Sequence, residues 1–157
     1  MTDQSIVIHA PADRVYGLVA DPMRMGEWSP ECVRCRWIGS ATAPVPGVRF
    51  RGTSRNGWLR WSTTSTIAEM RPAELFAWEV TYFGQPVARW EYRIEPRDDG
   101  VRLVETVLDR RGRLLRMVSP FITGSSDRSK RNAETMEGTL QAIRAAAEAA
   151  TKAPSGP

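Results

Sequence analysis

The stretch Trp28-Ser29-Pro30-Glu31-Cys32-Val33-Arg34-Cys35 places an indole, a hydroxyl, a carboxylate, a guanidinium and two thiols in C-x-x-C spacing within eight residues. Such groups serve dithiol redox chemistry, metal binding or nucleophilic attack. Residues 31–38 alternate with period two, which reads as a strand, and in a strand successive side chains point to opposite faces. Cys32 and Cys35 are therefore expected to face opposite ways, unable to bridge or to hold one ion without breaking the strand. A closed zinc site takes four ligands, whereas the chain has two Cys and one His, so no metal is expected. Ser29 has neither a G-x-S-x-G elbow nor a neighbouring base. The stretch reads as a helix-to-strand junction.

Glu105 is the second candidate. Within 101–109 the outward charge of Arg102 turns Leu103, Glu105 and Val107 inward, leaving a carboxylate among apolar neighbours. Burial raises the pKa of such a group, which suits it to act as general acid or base on an enolisable carbonyl. The alternative is a structural carboxylate neutralised by an arginine such as Arg34, holding the sheet to a helix. A bulge would exchange this face for Val104, Thr106 and Leu108. Tyr82 and Tyr92 are suited to donate to a ligand carbonyl, though buried tyrosines find partners in any core. His9, at a strand end opposite Ile6 and Ile8, is expected at the surface. No phosphate loop, dinucleotide fingerprint or Walker motif is present.

These residues need elements to position them. Ser5 to His9 reads as a strand, and Pro11 with Val15, Leu18 and Val19 marks a helix over 11–20 that Asp21-Pro22 ends. A short helix spans about 23–28. Then the period is two: residues 31–38, 48–55, 58–70, 74–82, 87–95 and 101–109 read as strands, with Asn56-Gly57 a strong hairpin signal. In 87–95, Ala88, Trp90, Tyr92 and Ile94 alternate with Arg89, Glu91, Arg93 and Glu95, as in a half-buried antiparallel strand. From about Ser126 the period is 3.6, with Ser129, Asn132, Ala133, Met136, Thr139, Leu140, Ile143 and Ala147 on one face. One domain is expected over 1–150, followed by a frayed, flexible tail over 151–157.

With 157 residues, 41% hydrophobic and 25% charged, the chain has the composition of a globular protein. No apolar run approaches the roughly 18 residues of a membrane span, and residues 1–4 do not resemble a secretion signal, so a cytoplasmic location is expected. The net charge of +4 is concentrated: Arg110 to Arg131 holds seven basic residues against Asp127, which leaves the rest at −2. That distribution argues against nucleic acid and fits an anionic ligand, a membrane surface, an acidic partner or a solvated helix face.

The order of elements, with Ile8-His9-Ala10-Pro11-Ala12-Asp13-Arg14-Val15-Tyr16, Asp21-Pro22, Trp28-Ser29-Pro30-Glu31, Pro46-Gly47-Val48-Arg49-Phe50, Arg60-Trp61-Ser62-Thr63-Thr64, Ala88-Arg89-Trp90-Glu91-Tyr92 and Asp99-Gly100-Val101-Arg102-Leu103-Val104-Glu105-Thr106, resembles the START-like helix-grip superfamily, in particular its polyketide cyclase/dehydrase and lipid transport group. The resemblance covers Ile6 to Ala147. It implies an α+β helix-grip fold, a curved antiparallel sheet of about seven strands wrapped around a long C-terminal helix, with two short helices after the first strand. It also implies a cavity for a hydrophobic or aromatic molecule between sheet and helix, and no cofactor.

Given such a cavity, the inward members of each strand are Trp37, Phe50, Leu59, Trp61, Thr63, Ser65, Phe76, Trp78, Val80, Tyr82, Trp90, Tyr92, Leu103, Glu105 and Val107, a composition that suits a small-molecule pocket or a solid core filled with Trp. Trp28 is expected at the mouth, with Val33, Cys35 and Trp37 on the inner face. The ligand-binding residues expected are Trp28, Trp37, Phe50, Trp61, Thr63, Phe76, Trp78, Tyr82, Trp90, Tyr92, Asn132, Met136 and Thr139, and the acid/base candidates are Glu105 and Tyr92. Three functions follow: binding or carriage of a small hydrophobic ligand (aromatic, polyketide-like or lipid); a cyclase or dehydratase that folds its substrate and moves protons; and an interaction module using 110–131. The last segment also carries Leu114, Leu115, Met117, Val118, Phe121 and Ile122, expected either to pack on the sheet edge or to make transient membrane or donor-protein contact as monomer or homodimer.

Overall fold

A computed structural model describes residues 1–124 and 127–152, without the side chains of 128, 129 and 150–152. The expected helix start at Ser126, the face position of the Ser129 side chain and the tail 153–157 lie outside the described residues. The order is β1 (Thr2–Ile8), α1 (Ala12–Val19), a 3-10 turn (Pro22–Arg24), α2 (Met25–Trp28), β2 (Cys32–Trp37), β3 (Arg49–Asn56), β4 (Leu59–Arg71), β5 (Leu75–Tyr82), β6 (Gln85–Arg97), β7 (Gly100–Asp109), α3 (Arg113–Thr123) and α4 (Arg128–Lys152). All strands form one antiparallel sheet in the order β1-β7-β6-β5-β4-β3-β2. This is the α+β helix-grip architecture, with α4 laid along the concave side against β1, α1 and α2.

Local chemistry sets the boundaries. The Asp21 carboxylate accepts from the Met23 amide at 3.0 Å, which starts the 3-10 turn that Pro22 favours. Gly100 has φ +145°, and a Cβ there would sit 2.2 Å from the Ile8 carbonyl oxygen, so only glycine lets β1 end beside the β6–β7 turn. The β3–β4 turn is formed by Gly57 and Trp58, one residue later than Asn56-Gly57 suggests, because Asn56 still pairs with Leu59. Register shifts in β2 (Cys32/Arg34), in β4 (Ile67/Glu69) and in β6, where Val87 is the extra residue opposite Val80 and Thr81, bend the sheet around α4.

The main core joins Ile8, Val15, Val19, Phe50, Ile67, Phe76, Ile94, Val101 and Leu103 to Leu140, Ile143 and Ala147 of α4. On the convex side, Arg89 lies among Glu69, Glu79 and Glu91 at 3.5, 3.2 and 3.7 Å. The alternation of β6 thus resolves into an aromatic inner face and a charged outer one. No helix among the described residues is long and apolar enough to cross a membrane.

Candidate functional site

Between the concave face and α4 lies a cavity of about 180 Å³. Its sheet wall carries Phe50 (β3), Trp61, Thr63 and Ser65 (β4), Trp78 and Val80 (β5), Ala88, Trp90 and Tyr92 (β6), and Glu105 and Val107 (β7). The aromatic part is ordered by cross-strand pairing. Trp78 and Trp90 are register partners and stack with ring centroids 6.2 Å apart at 9°, and Tyr92 lies 5.6 Å from Trp78. Flat indole faces on one side of a hollow suit a planar ligand.

Tyr92 and Glu105 are direct partners across β6 and β7, and the Tyr92 hydroxyl donates to Glu105 Oε1 at 3.1 Å. Glu105 is 3% exposed, and its Oε2 has no partner among the described residues. Burial pushes its pKa up to about 8, against the smaller opposing effect of the Tyr92 hydrogen bond. At neutral pH the carboxyl is therefore largely protonated, with one oxygen accepting from Tyr92 and the other available as a donor inside the cavity. Burial, together with the charge of Glu105 when ionised, pushes Tyr92 well above the usual phenol range, so it stays neutral. The structural alternative for Glu105 is not realised as anticipated: Arg34 is exposed, and the partner of Glu105 lies on the adjacent strand rather than on a helix.

The helical wall consists of Asn132, Thr135 and Thr139, at spacings of three and four along α4. The Thr135 and Thr139 hydroxyls donate to the Arg131 and Thr135 carbonyls, both at 2.9 Å, so toward the cavity they can only accept. Near the mouth, Arg111 binds Asp109 at 2.7 Å and donates to Ser119 Oγ at 2.8 Å. The Arg111 hydrogen bond holds the Asp109 carboxyl below its usual range. Glu31, 5% exposed, pairs with Arg131 at 3.0 Å, and Arg131 also reaches Asn56 at 3.4 Å, which ties α4 to the start of β2 and the β3–β4 hairpin.

Phe50, Trp61, Thr63, Trp78, Trp90, Tyr92, Asn132, Thr139 and Glu105 come together around the cavity. Five expected residues are not among those lining it. Trp37, the register partner of Phe50 on the edge strand β2, packs edge-on against it at 6.2 Å without reaching the cavity. Phe76 is fully buried beyond Trp78, deeper in the core. Tyr82 ends β5 and turns its ring onto Phe83 at 4.7 Å. Met136, one helical step from Thr135, is fully buried against the wall residues Ala88 and Val107 and does not itself line the cavity. Trp28 lies under the Arg24 guanidinium, 5.0 Å from the ring centroid, rather than at the mouth.

The two cysteines require a second correction. The bulge at Cys32/Arg34 inserts one residue into β2, so Val33 is 45% exposed and both Cys32 and Cys35 face the cavity, their sulfurs 3.7 Å apart. An extra residue restores a shared face that strict alternation forbids. Glu31, Thr135, Asp109 and Arg111 also line the cavity unanticipated; a carboxylate directly before a strand and a basic residue at helical reach, Arg131, was the available signal for the first.

A family model for polyketide cyclase/dehydrase and lipid transport matches residues 2–148. The chain belongs to that family. No curated protein matches it. Among solved structures, a polyketide-cyclase-like protein from Corynebacterium glutamicum is 31% identical over 99% of this chain and 96% of its own, with a TM-score of 0.62. The di-domain ARO/CYC StfQ of the steffimycin biosynthetic pathway is 13% identical over 96% of this chain and 51% of its own (TM-score 0.67), and Ara h 8.0201 is 12% identical over 94% and 97% (TM-score 0.65). At those identities the last two establish a shared fold.

Proposed function

We propose that the protein binds and carries a small, planar hydrophobic molecule bearing one hydrogen-bond acceptor, such as an aromatic ketone or phenol. The observation that carries this reading is the stacked Trp78–Trp90 pair beside a buried carboxyl with one unpartnered oxygen, inside a hollow interior. A volume of about 180 Å³ is close to the roughly 150 Å³ cavity that takes one benzene ring and below the roughly 300–1,000 Å³ of drug-sized pockets. One or two rings fit; a longer polyketide or lipid would extend through the mouth. The hollow interior also argues against a module that works through its surface alone. Native mass spectrometry of freshly expressed protein tests the reading: a reproducible adduct of one molecule per chain, removed by organic extraction, is expected. Absence of any adduct together with failure of aromatic fluorescent probes to quench Trp emission would overturn it.

The Glu105–Tyr92 pair favours a second reading, a cyclase or dehydratase. A carboxyl poised near neutrality is suited to exchange a proton with an enolisable carbonyl while the walls hold the chain folded. Turnover of a model polyketone that Glu105→Gln abolishes without loss of affinity would establish it.

The mouth supports ligand exchange at a membrane. α3 is polar toward the interior, through Ser119 and Thr123, and apolar toward solvent, with Leu114, Met117 and Phe121 at 75, 72 and 82% exposure beside the exposed Arg113 and Arg116. Of the six apolar residues, Leu115 and Ile122 are half-buried where α3 meets β4, and Leu114, Met117, Val118 and Phe121 are exposed. Alternate hairpins of a meander share one end of the sheet, so Trp58 and Phe83, at the β3–β4 and β5–β6 turns, lie at the end where β7 leads into α3. Aromatic tips flanked by arginines suit an anionic bilayer. Co-sedimentation with phosphatidylserine vesicles is expected, and Phe121→Ser with Trp58→Ser should abolish it; a chain that stays in the supernatant with vesicles present would overturn the membrane reading.

A further inference from the structure

Cys32 and Cys35 take no part in the function proposed above, yet they are the most reactive side chains on the cavity wall. The β2 bulge brings Cys32 Sγ and Cys35 Sγ to 3.7 Å, so closing to the roughly 2.05 Å of a disulfide needs one side chain to move by less than the width of an atom. Gly52 pairs with Cys35, and a Cβ at Gly52 would sit 3.8 Å from the Cys35 sulfur, so the glycine leaves room for that sulfur to move. Both thiols line the cavity, so a small molecule that reaches Tyr92 also reaches them. Neither is bonded elsewhere in a disulfide.

The two sulfurs are not equivalent. Cys32 is half-buried, and its hydrogen bond with the Cys35 thiol, together with one from the Arg34 backbone, holds its pKa below the usual thiol range despite burial. Cys35 is 7% exposed, and the same contact with Cys32 and burial push it up. Cys32, the more accessible sulfur, is thus placed to attack and the buried Cys35 to resolve, the division of labour of a two-cysteine redox site.

We propose that Cys32 and Cys35 form a modifiable dithiol in the cavity wall, oxidised to an intramolecular disulfide by small peroxides. The Cys32 thiolate attacks one peroxide oxygen and the O–O bond breaks; that oxygen stays on sulfur as sulfenic acid and the other leaves as hydroxide or alkoxide, which takes up a proton. Cys35 sulfur then attacks Cys32 Sγ, the S–S bond forms, and the sulfenic oxygen leaves as water with the Cys35 proton. The two thiols are oxidised by two electrons and the peroxide is reduced by two. Reduction by a small thiol through a mixed disulfide reverses the change. Closure also draws Cys32 toward Cys35 along the wall that faces Tyr92, so the modified form has a reshaped ligand site.

The test uses the full chain and does not depend on any ligand. Reduced protein is treated with one equivalent of hydrogen peroxide and followed by intact mass and by thiol titration. The expected product is a monomer that has lost the mass of two hydrogens and both titratable thiols and regains them with dithiothreitol; phenylarsine oxide, which bridges neighbouring thiols, should bind the reduced form one to one and not the oxidised form. The single variants Cys32→Ser and Cys35→Ser should lose both behaviours, and the chain that keeps Cys32 should be alkylated by iodoacetamide about tenfold faster than the one that keeps Cys35. Two persistent thiols, products that are only intermolecular dimers or sulfinic acids, or no arsenical binding by the folded reduced chain would each overturn the proposal. Equal alkylation of the two variants would overturn the assigned roles.

Discussion

Replacing Glu105 by Gln removes a charge while keeping the side-chain shape, and its effect should grow with pH. In the folded chain the carboxyl titrates at about 8, against 4.5 for the ordinary group. Below 4.5 both states are protonated and the residue contributes nothing to the pH dependence. Above it the unfolded chain releases its proton while the native one retains it, so native stability falls as pH rises until the folded group ionises near 8. At about 1.4 kcal/mol per pH unit, the wild type loses roughly 2.5 kcal/mol between pH 5 and 7 and about 3.5 kcal/mol between pH 5 and 8. Gln does not titrate. It keeps an acceptor for the Tyr92 hydroxyl but places an amide N–H₂ where Oε2 has no partner, a pH-independent cost of about 1–3 kcal/mol. The variant should therefore be less stable than wild type near pH 5 and more stable near pH 8, with curves that cross. Urea unfolding at pH 5, 6, 7 and 8 reads this directly, because the remaining groups cancel in the difference. Parallel curves would mean that Glu105 titrates as an ordinary carboxylate, and a variant that weakens progressively with rising pH would mean that Glu105 is ionised and paired; either result would refute the buried-acid argument.

Thr139→Phe should leave thermal stability near native while weakening an aromatic probe, since Thr139 faces the cavity and its hydroxyl bonds only its own helix; a loss of about 1–3 kcal/mol or more would signal overpacking of a filled core. Trp78→Ala and Trp90→Ala should each weaken probe binding at least about tenfold in a fluorescence titration, as stacked aromatic pairs exceed their area burial, whereas Trp58→Ala, 89% exposed at a hairpin tip, should not; equal effects would mean that the strand faces are reversed. Gly100→Ala should destabilise by several kcal/mol or prevent folding, because its Cβ would meet the Ile8 carbonyl and φ is +145°; a soluble variant with native melting temperature would exclude that close approach.

Much of the fold was legible because its signals are local. Apolar and charged residues alternate along β6 whatever its neighbours do, so the inward set Ala88, Trp90, Tyr92 and Ile94 followed from the pleat alone, whereas on β7 two apolar faces competed and the structure puts Glu105 and Val107 at the cavity. The wheel of α4 found its buried stripe, Met136, Leu140, Ile143 and Ala147, from the 3.6 period. It put Thr139 and Met136 together at the cavity and could not tell that Thr135 lines it while Met136 does not, because that division depends on where the curved sheet departs from the helix. The depth of the sheet likewise separates Trp78, which lines the cavity, from Phe76, two residues earlier on the same face and buried behind it.

By itself, then, the amino-acid sequence determined which elements form, in what order, and which face of each strand is apolar, since these rest on periodicity, turn chemistry and proline and glycine constraints within a few residues. Only the tertiary structure decided which inward side chains border empty space and which fill the core. It also decided that Glu105 meets Tyr92 rather than an arginine, because that contact depends on register across two strands. The bulge that puts Cys32 beside Cys35, and the docking that leaves the apolar side of α3 in solvent, are settled by how the sheet bends around α4, and no window of residues contains that curvature.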